Sequence, residues 1–146
     1  MRFENLPENW TTLPLDDAPL AAGVIDLLMG YRDRLLNSLL ILPCDDLDRG
    51  IPSPIMVAET DWAEPATTRR EVMDFLPQIP APGLLVAVSS RRRLPDRLVR
   101  GWLRTIEDTL DASGQALLAF WVADLDRVEI VGGRAAHNGS LRGVAS

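Results

Sequence analysis

Lysine is absent from this 146-residue chain, and all fifteen of its basic residues are arginine. A Walker A loop needs a lysine to reach nucleotide phosphates, and Schiff-base and pyridoxal enzymes need a side-chain amine. The sequence therefore excludes these enzyme classes. Cysteine and histidine occur once each, as Cys44 and His137. A single cysteine cannot form an internal disulfide, and these two residues cannot complete a zinc cage.

Long apolar runs are also missing. The longest wholly apolar segment is residues 116–123, which is far shorter than the roughly 20 residues that a membrane-spanning helix needs. Residues 1–5 lack the basic and apolar regions of a secretory leader. These absences predict a cytoplasmic protein that does not bind membranes.

The charge balance is acidic, with a net charge of −6. Nucleic acids and anionic membranes attract proteins with excess positive charge, so this balance argues against nucleic acid as a general partner. Apolar residues make up 47% of the chain, which is close to the average of globular proteins and predicts a self-sufficient core. No cofactor-binding motif is present, and we expect no cofactor.

The spacing of apolar residues predicts alternating helices and strands. Helices are predicted over residues 17–30, 68–76 and 95–112, and strands over 35–42, 55–58, 84–88, 116–122 and 128–131. The middle helix is placed by a capping box, in which Thr68 begins the helix and Glu71 reaches back to its first turn.

Helices between strands imply right-handed crossovers and parallel pairing, whereas strands that follow one another directly form antiparallel hairpins. The predicted fold class is therefore α/β, a mixed five-stranded sheet with a parallel centre, antiparallel hairpin partners and three helices. Residues 16–131 are predicted to form this domain. Residues 1–15 are predicted to be an irregular arm, and the glycine-rich residues 132–146 a flexible tail.

Several segments resemble a family of uncharacterised, largely actinobacterial proteins known only as a domain of unknown function. The matching segments are residues 27–31 with 38–42, residues 59–61, and residues 84–89 with 117–124. The resemblance covers roughly residues 18–131. It departs from the family pattern at Arg32-Asp33-Arg34, where family members carry a shorter turn with a proline. The family has no established activity, so the resemblance supplies no catalytic residues.

Polar residues follow three of the predicted strands. In open α/β sheets, ligands bind beyond the carboxyl ends of parallel strands. At those ends stand Glu59 and Asp61, then Ser89, Ser90 and Arg91, then Asp124 and Asp126. Carboxylates and hydroxyls could hold Mg²⁺, and an adjacent arginine could hold a phosphate. One hypothesis is therefore a magnesium-dependent enzyme acting on phosphate esters or nucleotides. The alternative is that polar residues end these strands because loops are solvated.

A second pattern lies along the last predicted helix. Arg93, Arg97, Arg100 and Arg104 are spaced by four, three and four residues, which predicts one basic stripe opposite the apolar face. Such a stripe could bind an acidic partner. The alternative is a solvated helix face on which Arg104 pairs with Asp108.

Trp62 lies among acidic residues and a proline, and we expect it to be exposed and to serve as an interface anchor. Cys44 stands beside two aspartates that disfavour its thiolate, and His137 lies in the predicted tail. A nucleophile–base pair is therefore not expected. The sequence favours a non-enzymatic domain that acts through protein–protein contacts or self-association, with the arginine stripe as its surface.

Overall fold

The computed structural model of this chain describes residues 2–136, whose elements alternate much as the sequence predicts. The α-helices are α1 (Ala18–Leu28), α2 (Tyr31–Leu35), α3 (Ala66–Val72) and α4 (Asp96–Ser113). The strands are β1 (Leu39–Cys44), β2 (Ile55–Val57), β3 (Gly83–Ser89), β4 (Ala116–Ala123) and β5 (Val128–Gly132). Short 3-10 turns cover Phe3–Asn5, Trp10–Thr12 and Leu76–Gln78.

The five strands form one mixed sheet in the order β2-β1-β3-β4-β5. Strands β3 and β4 are parallel, and the other neighbouring pairs are antiparallel. This confirms the predicted mixed α/β fold. Strands β2 and β3 also run in the same direction, but β1 lies between them, so the connection through α3 crosses over one strand.

Helices cover both faces of the sheet, which makes a three-layer domain. Helices α3 and α4 pack on one face, where Trp102, Ile106 and Phe120 are fully buried. Helix α1 and the amino-terminal arm pack on the other face, around Ile25 and Met29. Continuous apolar strands such as β3 are therefore buried on both sides, as expected for the centre of an α/β sheet.

The helix boundaries follow the local sequence. The Asp17 carboxylate accepts a hydrogen bond from the Leu20 amide at 3.4 Å and begins α1. Helix α4 ends at Gly114, whose φ of 74° is a left-handed conformation that glycine adopts without steric cost. Helix α3 corrects the prediction for residues 68–76. It begins after Pro65 instead of at a Thr68 capping box.

The first strand is also displaced from its predicted range. Residues 31–35 form α2, because the Asp33 carboxylate accepts the Gly30 amide hydrogen at 3.1 Å and caps a helical turn. Strand β1 then continues through Pro43, whose carbonyl accepts the Ile51 amide hydrogen. The nitrogen and carbonyl of one strand residue point to the same side. The Pro43 nitrogen therefore faces the following loop, and no hydrogen bond to β3 is lost.

The packed region extends past the predicted boundary at residue 131. Strand β5 includes Gly132, and Ala135 is buried against the α1 face of the sheet. The amino-terminal arm is irregular, but Leu15 at its end is fully buried. Residues 137–146 of the predicted tail, including His137, lie outside the described residues.

Replacing Trp102 by alanine is expected to lower the free energy of unfolding by about 3–5 kcal/mol. The side chain is fully buried, and its removal leaves a cavity between α4 and the sheet. Urea denaturation monitored by circular dichroism measures the loss. Leu27→Ala is the control, because Leu27 is 42% exposed on α1. A loss below about 1 kcal/mol for Trp102→Ala would contradict this packing.

Candidate functional site

The sheet brings the predicted phosphate and metal residues to one edge. Val57 of β2 and Val88 of β3 both lie opposite Leu39, and Ser89 lies opposite Ala123 at the end of β4. The carboxyl ends of β2, β3 and β4 therefore meet at the same edge, which we call the carboxyl edge. Asp61, Ser89, Ser90, Arg91 and Asp124 follow or end these strands, as the enzyme hypothesis requires.

The two serines at this edge are committed to internal hydrogen bonds. Ser89 is fully buried, and its hydroxyl donates to the Asp33 carbonyl at 3.0 Å and accepts from the Ser38 amide at 2.8 Å. The Ser90 hydroxyl is also buried and donates to the Arg92 carbonyl. These hydroxyls join the end of β3 to neighbouring backbone, so they are not presented to a ligand.

The carboxylates at the carboxyl edge hold turns. Asp61 accepts the Ala63 amide hydrogen at 3.0 Å, and Asp124 accepts the amide hydrogens of Asp126 and Arg127 at 2.8 Å. Glu59 occupies a left-handed turn with φ of 61°. Within residues 2–136, no group of three or more histidine, cysteine or acidic side chains is arranged to hold a metal ion.

Trp62 corrects the expectation of an exposed anchor, because its side chain is buried with 3% exposure. Its Nε1 donates to the Ser89 carbonyl at 2.8 Å, and the Trp102 Nε1 donates to the Trp62 carbonyl at 2.7 Å. The two indole rings meet edge to face, with centroids 5.1 Å apart and planes at 88°. The two carbonyls satisfy both N–H donors, and the Trp62 ring is buried against Trp102, so Trp62 cannot reach a partner surface.

Cys44 is a free thiol at the end of β1 and is fully buried. Burial, and after it the negative charge of Asp48, raise the pKa of Cys44 to about 12. The reactive form of cysteine is the thiolate. Cys44 is therefore a core residue and not a nucleophile.

The arginine stripe is present on α4, but it is one residue shorter than predicted. Arg97, Arg100 and Arg104 are exposed on the side of α4 opposite the buried Trp102. We call these three side chains the α4 arginines. Arg104 forms no ion pair with Asp108.

Arg93 does not belong to this group, because it precedes α4 and its charge is already paired. Its guanidinium contacts Asp96 at 2.6 Å and Glu129 at 3.1 Å. These hydrogen bonds raise the pKa of Arg93, and the Arg93 guanidinium lowers the pKa of Asp96. Arg93 therefore ties the start of α4 to β5.

Two features of this surface were not predicted from the sequence. Helix α3 brings Arg69 and Arg70 beside Arg104, across a groove between the two helices. The Arg69 guanidinium lies over Gly101, where a Cβ would come within 3.1 Å of its Cζ, and it donates to the Glu64 carbonyl. The absence of a side chain at Gly101 was the available signal, since it lets another chain segment approach α4 closely.

The second missed feature is a set of acidic residues on α4. Glu107, Asp108 and Asp111 are exposed on the carboxyl-terminal half of the helix. Together with Arg100, Leu103 and Arg104 they line one shallow groove. Their spacing of one and three residues was visible in the sequence.

Comparisons with protein-family models, with curated proteins and with solved structures find no match to this chain. The resemblance to the actinobacterial family stays a prediction. Of the helices described between residues 2 and 136, none combines the length and the apolar character needed to cross a bilayer.

Replacing Ser89 by alanine is expected to reduce the free energy of unfolding by about 1–3 kcal/mol. The substitution leaves the buried Ser38 amide and the Asp33 carbonyl without this hydrogen-bond partner. Chemical denaturation measures the effect, and the exposed Ser53→Ala is the matched control. An unchanged stability would show that the Ser89 hydroxyl is free for another role.

Cys44 is expected to resist thiol reagents in the folded protein. With a pKa of about 12, roughly one thiol in 10⁴ is ionised at pH 8. Ellman's reagent should therefore react slowly with native protein at pH 8 and within seconds after unfolding in urea. Rapid reaction of the native protein would contradict the burial of this thiol.

Proposed function

We propose that this protein is a non-enzymatic interaction domain that binds a protein partner through the α4 arginines. One observation carries the proposal. Arg97, Arg100 and Arg104 are exposed, and within residues 2–136 they have no ion-pair partner, although the whole chain has a net charge of −6. A local positive field on an acidic protein steers carboxylates of a partner to this face.

Two features of the α4 arginines are unfavourable within the isolated chain. These arginines are spaced by three and four residues, so neighbouring guanidinium groups repel one another. Arg97 also lies in the first turn of α4, where the macrodipole favours negative charge. Carboxylates of a partner would relieve both effects. Arginine also offers a planar donor fork that binds a carboxylate with two hydrogen bonds.

A protein partner is favoured over a nucleic acid. Proteins that bind single strands combine positive charge with exposed aromatic rings on which bases stack. In the described part of the chain, large apolar side chains are exposed on the arm, on helices α1 and α2, in the loop that follows β1, and on strand β2. None is on α3 or α4. The reduced Cys44 thiol also suits a cytoplasmic location, where disulfides are rare.

The side chains at the carboxyl edge give less support to the enzyme hypothesis. The carboxyl edge is where a phosphate or metal site was expected, but Ser89 and Ser90 are buried and hydrogen-bonded there. The carboxylates of Asp61 and Asp124 cap turns of their own loops. An interaction domain needs none of these groups, which is why we favour it.

A hexaglutamate peptide is a direct probe of the proposed surface. At 20 mM salt, titration with this peptide is expected to shift the NMR signals of Arg97, Arg100 and Arg104. The Arg97→Glu/Arg100→Glu variant should bind at least about tenfold more weakly, because two attractions of about 0.7 kcal/mol each become repulsions. Its melting temperature should change little, since both side chains are exposed.

The matched control is Arg32→Glu/Arg127→Glu, which makes the same change of net charge at exposed arginines outside α4. Equal weakening by both variants, or the absence of peptide-dependent shifts on α4, would contradict the proposal. A parallel titration with Mg²⁺ and inorganic phosphate tests the alternative. Shifts confined to Ser90, Arg91 and Asp124 would favour the enzyme hypothesis instead.

A further inference from the structure

The exposed face of α4 separates its charges by sign along the helix axis. The amino-terminal half carries Arg97, Arg100 and Arg104, and the carboxyl-terminal half carries Glu107, Asp108 and Asp111. Arg100, Arg104, Glu107 and Asp111 are spaced by four, three and four residues, so they form one row along a single side of the helix. We call this row the α4 charge row.

Part of this order of charges is unfavourable for the helix that carries it. Asp111 lies in the last turn of α4, where the macrodipole favours cations. Acidic neighbours repel one another as the arginines do. Within residues 2–136, none of the four charged side chains of the row takes part in an ion pair. The row therefore presents two unpaired patches of opposite sign to solvent.

We infer that the partner of this surface is a second copy of the chain, which docks through an antiparallel, two-fold symmetric pairing of the two α4 helices. This inference rests on the proposed function and names its partner. Arg104 and Glu107 are equally distant from a point between Thr105 and Ile106, and Arg100 and Asp111 are centred on the same point. An antiparallel copy therefore places Arg104 opposite Glu107 and Arg100 opposite Asp111, and each pair occurs twice.

A second copy fits this row better than a uniformly acidic protein does. An acidic surface would attract the arginines but would be repelled by Glu107, Asp108 and Asp111. The complement of the row is a surface with the reverse order of signs, and a two-fold axis supplies that order from the same residues. Leu103, which is partly buried and lines the same groove, gives the contact a small apolar centre.

The geometry also sets the strength of the dimer. The row spans about 16 Å along the axis, from the 1.5 Å rise per residue. One helix pair of this length buries less than the roughly 800 Å² per partner of a standard interface. Exposed ion pairs are individually weak and are screened by salt. We therefore expect a concentration-dependent dimer that weakens by about tenfold or more between 50 and 500 mM salt.

Charge reversal of each half tests this pairing. Arg100→Glu/Arg104→Glu makes the row entirely acidic, and Glu107→Arg/Asp111→Arg makes it entirely basic. Each variant changes the net charge of −6 by four. The acidic variant has a net charge of −10, and the basic variant has a net charge of −2. Sedimentation velocity at 50 mM salt should show that each variant alone is monomeric. Their equimolar mixture should form a heterodimer, although both proteins remain net negative.

The quadruple variant, which carries both pairs of reversals, restores a complementary row with its signs exchanged. It should dimerise like the unchanged protein, and a variant that merely misfolds could not regain this behaviour. Arg32→Glu/Arg127→Glu is again the control for net charge and should leave the dimer intact.

Three results would overturn the inference. These are an unchanged protein that is monomeric at 0.5 mM and 50 mM salt, a dimer that survives both double reversals, and an equimolar mixture that stays monomeric. The hexaglutamate titration separates this failure from failure of the proposed function. If the peptide still maps to the α4 arginines while the protein stays monomeric, only the identity of the partner is wrong. If neither is observed, both proposals fall.

Discussion

A series of buried hydrogen bonds closes the carboxyl edge of the sheet and joins helix α4 to helix α2. Trp102 of α4 donates to the Trp62 carbonyl, and Trp62 donates to the Ser89 carbonyl at the end of β3. The Ser89 hydroxyl then reaches the Asp33 carbonyl on α2. Each buried polar group in this series would cost about 1–3 kcal/mol if it were left unpaired. Helix α4, the loop after β2 and helix α2 are therefore fixed relative to one another.

The closure of this edge is the reason that we propose a binding role for a helix face. An open α/β sheet usually receives its ligand beyond the carboxyl ends of its strands. Here Trp62 and the serine hydroxyls occupy that position, and their polar atoms are satisfied within the chain. Helix α4 carries exposed charges without an ion-pair partner, and its Trp102 belongs to the same series of hydrogen bonds. A rigid helix presents a row of charges with little further loss of backbone entropy on binding.

The fold was predictable where burial alone decides structure, and less so where single contacts decide it. The predicted bounds of β3, β4 and the amphipathic α4 agree closely with the structure, because the apolar pattern of each segment reflects the layers that cover it. The predicted start of β1 does not agree, because one carboxylate of Asp33 converts residues 31–35 into a helical turn. Trp62 was misplaced for a similar reason. Its acidic neighbours suggested solvent, but the indole N–H has a buried acceptor on a strand 27 residues away. Long-range pairs of this kind leave no local pattern.

The two outer strands of the sheet bear on how the protein behaves when it is concentrated. An exposed sheet edge can recruit further strands and seed aggregates. Strand β2 offers three residues, and Pro52 and Pro54 precede it, so its edge is too short and too interrupted to template another chain. Strand β5 carries an extra residue at Val131, where the register shifts opposite Phe120 and Trp121. Bulges of this kind bend an edge and spoil its regular spacing of hydrogen-bonding groups. Strand pairing between copies is thus disfavoured even at high protein concentration. Side chains, and not backbone edges, then determine which molecules this protein binds.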